Sequence, residues 1–211
     1  MRLLPAAGCL VALGVLSATA YAGQQGDDAG RDPVLASVVQ PALVERAPAA
    51  RPVSRDVGGT GPRVDPAWVR RTAAAAGIPE PAVAAYAGAT LLVPTGCHLG
   101  WTTLAGIGWV ESQHGTLGGR TVDSTGRSST AILGPALDGR GPVAAIPATP
   151  GSTAWHGDGA WDHAVGPMQF IPSTWETWAA DGDSDGVADP HDLDDASYAA
   201  ARYLCEAGGD L

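Results

Sequence analysis

Residues 106–115 read GIGWVESQHG and set one carboxylate, Glu111, among apolar and small neighbours. At the 100° per residue of an α-helix, Glu111 shares a stripe with Leu104 and Ile107, and that stripe is expected to face the core. A lone glutamate near a helix end commonly snorkels to water. Here the apolar face opposes ionisation, and so does the negative end of the helix macrodipole. The carboxyl is therefore expected above its reference pKa of about 4.3. A carboxylic acid that keeps its proton near neutral pH can act as a general acid.

A second group is the acidic run DGDSDGVADPHD, residues 181–192. Asp181, Asp183 and Asp185 occupy the first, third and fifth positions of a twelve-residue loop. Gly186 falls at the sharp turn, Val187 at the backbone-carbonyl position, Asp189 at the ninth place and Asp192 at the twelfth. That is the donor order of an EF-hand loop, and helical signals flank it on both sides. Calcium takes about six to eight oxygens, and clustered carboxylates repel until a cation bridges them. The final position holds Asp where a longer, bidentate Glu is usual, so the expected affinity is weak, about 10⁻⁴–10⁻³ M. The loop is distant in sequence from Glu111, and a bound Ca²⁺ is expected to be structural; a solvated Asp/Gly turn is the other reading. The third group is AVGPMQFIPSTWETW, residues 164–178, where Gln169 interrupts an apolar run. A glutamine there either satisfies buried backbone groups or faces a polar ligand, while Phe170, Ile171 and Trp175 read as core.

These groups need elements to hold them. In VDPAWVRRTAAAAG, Asp65 suits an N-cap, Pro66 the first helical position and Gly77 the stop. A second helix is predicted in EPAVAAYAGATLLV and a third in GWTTLAGIGWVESQHG, ended by Gly115. Residues 116–163 are rich in Gly, Ser, Thr and Pro without helical period, which predicts a functional loop or short strands. Helical pattern returns in IPSTWETWAA and in DDASYAAARYLCEAGG.

The chain has 211 residues with 29 Gly and 17 Pro, enough for one domain carrying long irregular stretches. A net charge of −10 and a pI of about 4.7 argue against nucleic acid and anionic membrane surfaces as partners. The first 22 residues carry Arg2, an apolar stretch from Leu10 to Ala20 and the small-x-small site Ala20-Tyr21-Ala22. This predicts a secretory signal, with an uncleaved anchor as the alternative. Residues 23–63 hold scattered Pro, Gly and charge with no aromatic side chain, and read as a disordered tether before a domain over 64–211. Removal of the signal takes Cys9 with it and leaves Cys97 and Cys205. In an exported chain these suggest one disulfide, against two buried thiols.

Taken in order, LAGIGWVESQHG, AVGPMQFIPSTW and the acidic loop resemble the lytic murein transglycosylases of the membrane-bound B type, in their actinobacterial form. The resemblance covers roughly residues 64–211. It implies a mainly α, lysozyme-like (α+β) fold with an irregular Gly/Pro-rich insertion and an EF-hand-like calcium loop. It also implies peptidoglycan glycan strands as substrate, at a secreted or envelope location, with other cell-wall proteins as further candidate partners and no organic cofactor. By that likeness Glu111 is the one catalytic acid/base, cutting the MurNAc–GlcNAc β-1,4 bond and leaving a 1,6-anhydromuramyl end. Gln169 and Phe170 match the substrate-binding groove segment, and Ser112 braces or adjoins the acid as part of it. Gly106 and Gly108 are expected to admit a neighbouring helix or the sugar. Cys97 and Cys205 fall where relatives carry a paired bridge.

Relatives continue past the last helix into a Tyr-Asn-x-Ser segment, whereas this chain ends at AGGDL, which implies a C-terminally shortened domain. Where relatives carry an Asp-rich turn, this chain has ATPGST at 148–153. The competing functions are a muramidase that admits water, a non-catalytic wall-binding module, and a calcium-stabilised adhesion or signalling domain.

Overall fold

The computed structural model describes residues 63–208. The signal peptide and nearly all of the tether expected from the sequence lie outside the described residues. Asp65 caps α1 (Pro66–Ala76): its Oδ1 accepts the N–H groups of Ala67 at 2.7 Å and Trp68 at 3.3 Å. Gly77 ends the helix in the left-handed region at φ 69°. The second helix, α2 (Glu80–Leu92), opens with Pro81 in its first turn, where a missing N–H costs no hydrogen bond. The third, α3 (Trp101–Ser112), carries Glu111.

The predicted stop of α3 at Gly115 falls three residues late. Gln113 and His114 both take left-handed backbone angles, φ 51° and 59°. The Gln113 N–H returns to the Trp109 carbonyl and that of His114 to Gly108, which satisfies the last carbonyls of the helix. Two consecutive non-glycine residues in this region cost about 1 kcal/mol or more each. They persist because tertiary bonds on Ser112, described below, fix the exit.

The stretch 116–163 contains short strands, as expected, and a helix that was not. Strand β1 (Leu133–Ala136) pairs antiparallel with β2 (His163–Val165), Leu133 opposite Val165 and Ala136 opposite His163, with an irregularity between. Between them stands α4 (Pro150–His156), held by a reciprocal capping box in which Thr149 Oγ1 accepts the Ser152 N–H while Ser152 Oγ accepts that of Thr149. Helix α5 (Pro172–Trp178) and the long α6 (Leu193–Gly208) complete the chain.

The core forms where α2 packs along α6, the most extensive pairing of helices. Both present alanines there, Ala82, Ala85 and Ala89 from α2 and Ala196, Ala199 and Ala200 from α6, so the backbones approach closely. Tyr86, Leu104, Leu193 and Trp175 fill the remaining volume. Each such large side chain, fully buried, contributes about 1.5–3 kcal/mol. A second cluster of Trp68, Val69, Ala73, Val83 and Ala87 seats α1 on the other side of α2. A disulfide joins Cys97, just before α3, to Cys205 on α6, with Cα atoms 5.5 Å apart. The sequence separation of 108 puts its stabilisation near 4–5 kcal/mol on the chain-entropy account. Among the described residues, no helix is long and apolar enough to cross a membrane.

Candidate active site

Glu111 is buried, at 5% of its full exposure, on the same face of α3 as Leu104, Gly108 and Ser112. Burial raises its pKa from an ordinary 4.5 to about 7, and neither a charged neighbour nor a hydrogen bond contributes to the shift. The carboxyl is thus poised to hold or release a proton near neutrality.

Three contacts fix the helix that presents it. A side chain at Gly108 would overlap the Tyr86 hydroxyl, so this glycine lets α2 and α3 meet where the tyrosine crosses. Gly106 faces open space, so no neighbouring helix closes on it. Ser112 has 0% exposure, and its Oγ donates to the Pro167 carbonyl at 2.7 Å while accepting the Gly115 N–H at 2.8 Å. This geometry makes Ser112 the brace between the end of α3 and the Gly166-Pro167 turn. Grouping it with residues that touch substrate does not fit, because its hydroxyl is committed to the interior.

That turn is a tight loop closed by Val165 and Phe170, whose backbones exchange hydrogen bonds of 2.8 and 3.0 Å. Gly166, at φ 77°, packs against the Pro190 carbonyl so closely that any side chain would overlap it. Gln169 sits at φ 49°, almost buried, and its Nε2 donates to the Gly166 carbonyl at 2.8 Å, which uses one of its two N–H donors. Phe170 turns inward against Trp175, ring centroids 5.4 Å apart, and belongs to the core. Of the three side chains assigned to substrate, Gln169 alone combines a polar end with the strained turn beside the brace.

Sequence reasoning passed over His114 and Tyr86. His114 Nδ1 lies 3.2 Å from the Tyr86 hydroxyl, and its ring packs at a tilt of 45° against Trp109 with centroids 5.5 Å apart. Burial lowers the His114 pKa and raises that of Tyr86. The pair pins the backbone just past Glu111 onto α2. A histidine beside a glycine after the helix was the visible sign of it.

The acidic loop differs from the predicted donor set. Ligand atoms of Asp181, Asp183 and Asp195 lie within 4.8 Å of one another. Asp195, on the first turn of α6, was not in the twelve-residue pattern; its carboxylate accepts the Gly182 N–H at 2.6 Å and the Asp189 N–H at 2.9 Å. Asp189 and Asp192 instead face Arg127, at 2.7 and 3.6 Å, and Asp185 caps the Val187 N–H. Val187 is exposed at the loop's outer edge, and Gly186 turns the chain at φ 93°. Arg127 reaches in from the insertion and draws the later donors aside. Burial, followed by repulsion between carboxylates, pushes Asp194 and Asp195 well above the usual carboxylate range. Such a cluster fits a divalent cation, which relieves the repulsion.

Residues 151–209 match the family described as "Transglycosylase SLT domain". The matched segment runs from α4 through β2, the Gln169 turn, α5 and the acidic loop into α6. Glu111 and the first three helices lie before it. No curated protein and no solved structure matches the chain significantly. The family match, with a mainly helical architecture of six helices and a two-stranded sheet among the described residues, supports a lytic transglycosylase or lysozyme-like family. That is an enzyme class acting on peptidoglycan glycan strands of the cell wall.

Proposed function

We propose that this protein cuts the MurNAc–GlcNAc β-1,4 bond of peptidoglycan as a B-type lytic transglycosylase, with Glu111 as its single acid/base. The observation that carries the reading is Glu111 itself, a carboxyl buried on the inner face of α3 whose pKa burial raises to about 7. Hydrolytic glycosidases place two carboxylates about 5–5.5 Å or 6.5–9.5 Å apart, because one must activate water or attack the sugar. A transglycosylase needs only one. Protonated Glu111 gives its proton to the glycosidic oxygen as the bond to C1 breaks. The resulting carboxylate then takes the proton of the muramyl 6-hydroxyl as that oxygen closes on C1. The bond broken and the bond formed balance without water, and the product is a 1,6-anhydromuramyl end. Ser112, through Pro167, keeps the acid and the Gln169 turn in register, and Gln169 is the side chain placed to meet the glycan.

Calcium at Asp181, Asp183 and Asp195 has a structural role in this reading, tying the loop after α5 to the first turn of α6. The protein works outside the cytoplasmic membrane, where its substrate lies. Mass spectrometry of sacculi digested with the purified protein tests the proposal. Anhydromuropeptides are expected; reducing-end products would replace the reading with a muramidase, and binding without release would replace it with a wall-binding module.

A further inference from the structure

The ring of His163 on β2 lies between two acceptors. Its Nδ1 is 2.8 Å from the Gly134 carbonyl of β1, and its Nε2 is 3.1 Å from Oδ2 of Asp158 in the loop after α4. A carbonyl and a carboxylate donate nothing, so both bonds form together only if both ring nitrogens carry hydrogen. Either neutral tautomer leaves a nitrogen lone pair facing an oxygen lone pair. The neighbouring His156 contrasts with it. The Asp158 N–H donates to His156 Nδ1 at 3.1 Å, so its Nε2 carries the hydrogen shared with Asp162 at 3.3 Å, and the neutral ring suffices.

We propose that His163 is a positioning residue that acts as an imidazolium clamp behind the Gln169 turn, joining β1 to the α4–β2 loop through two hydrogen bonds that form together only while the ring is protonated. The proposal rests on the glycan-cleaving reading for its effect on activity, while the clamp itself stands on the hydrogen-bond geometry. Gly134 forms the wall behind Gln169: a Cβ there would lie 2.9 Å from the Gln169 Oε1 and 3.2 Å from the Ala164 Cβ. One residue earlier than β1, the Ile132 carbonyl accepts the Gly166 N–H at 2.9 Å. Strand β1 and the residue before it therefore border the turn that receives the Ser112 brace, and His163 adds a side-chain bond to the backbone pairing of β1 with β2.

The charged surroundings of His163 on each packed element favour this arrangement. The α4 side supplies His156, whose ring centroid is 5.0 Å away, and the loop after it supplies Asp158. Asp162 precedes His163 and is occupied by His156 and by Ser152, whose Oγ donates to it at 2.5 Å. Strand β1 has no titratable side chain, and the one on α5, Glu176, lies against Gly151. The Asp158 carboxyl is held down to about 2 by the Ala160 N–H first and by His163 next, so the partner stays anionic throughout the range in which imidazoles titrate.

The test uses the full chain, the His163→Arg and His163→Gln variants, and two readouts. In ¹⁵N-histidine spectra between about pH 5 and 8, both nitrogens of the His163 ring are expected to be protonated at the acid end. Cleavage falls with rising pH in every variant as Glu111 ionises, so the clamp is read in the wild-type to His163→Gln rate ratio, expected at roughly tenfold or more at the acid end, the scale of one charge-assisted hydrogen bond, and near one at the alkaline end. His163→Gln, folded by its melting temperature, should be slower than wild type at the acid end and match it at the alkaline end. His163→Arg, a permanent cation with donors on two sides, should keep its advantage over His163→Gln at every pH. A His163 ring that is singly protonated at the acid end overturns the clamp, and so does a wild-type to His163→Gln rate ratio that does not change with pH. If wild type cleaves no glycan at any pH, the glycan-cleaving reading fails, while the ring spectra still decide the clamp.

Discussion

Replacing Glu111 with Gln separates the cost of burying the acid from its use. The raised pKa means that the native state holds this proton more tightly than the unfolded chain does. Stability from Glu111 is therefore complete below about pH 4.5, falls as pH rises, and levels off above about pH 7, where both states have ionised. The displacement from 4.5 to about 7, at about 1.36 kcal/mol per tenfold change in proton affinity, amounts to roughly 3 kcal/mol. Glutamine has nearly the same shape and no proton to lose. Glu111→Gln should match wild type at pH 4 and exceed it by up to about 3 kcal/mol at pH 8, since a neutral amide on this face carries no charge to desolvate. Other carboxylates titrate in the same window, but they do so in both proteins, and the difference isolates residue 111. Urea denaturation at several pH values measures it. Anhydromuropeptide release should fall at least 10²–10⁴-fold, roughly the worth of general acid–base assistance, while sacculus binding persists. A stability difference that stays flat from pH 4.5 to 8 would refute the burial argument, and a variant still releasing anhydromuropeptides at the wild-type rate would refute the mechanism.

Millimolar calcium should raise the melting temperature relative to chelator, and Asp183→Ala or Asp195→Asn should remove the increment, which a thermal melt reads directly. Denatured, unreduced protein should show no titratable thiol at Cys97 or Cys205, and reduction should lower stability by up to about 4–5 kcal/mol in denaturant titration. Gly108→Ala should destabilise by about 1–3 kcal/mol through its overlap with Tyr86, whereas Gly106→Ala, facing open space on the same helix, should be neutral or stabilise by about 0.5–1 kcal/mol; equal effects would show that the tyrosine crossing is not tight.

The parts of the fold legible in the sequence were those whose signals are local. Asp65, Pro66 and Gly77 mark both ends of α1, and the stripe through Leu104 and Ile107 puts Glu111 on an inward face. The end of α3 was not local. It is set by Ser112 reaching Pro167, 55 residues on, and no propensity reports such a bond. Helix α4 went unseen because seven residues containing Gly, Ser and Thr show no period; only the Thr149–Ser152 box and Pro150 at its start betray it. The acidic loop was found by its spacing, yet two of its donors belong to Arg127, 62 residues earlier than Asp189. Asp195 lies beyond the twelve-residue pattern and joins only because α6 folds back over Gly182. Phe170 packs in the core, as its place in an apolar run indicated.

The bond between Cys97 and Cys205 turns most of the described chain into a covalent ring. The tip after β1, Gly139 to Pro142, is exposed and offers Arg140-Gly141 to a protease. A cut there would part the polypeptide into one piece bearing Glu111 and another bearing the Gln169 turn and the acidic loop. Each piece would keep one of the two sulfurs, so neither could diffuse from the other. In a compartment where proteases meet every exposed loop, the molecule can be nicked at its most accessible point and still keep both halves of its site at each other's side.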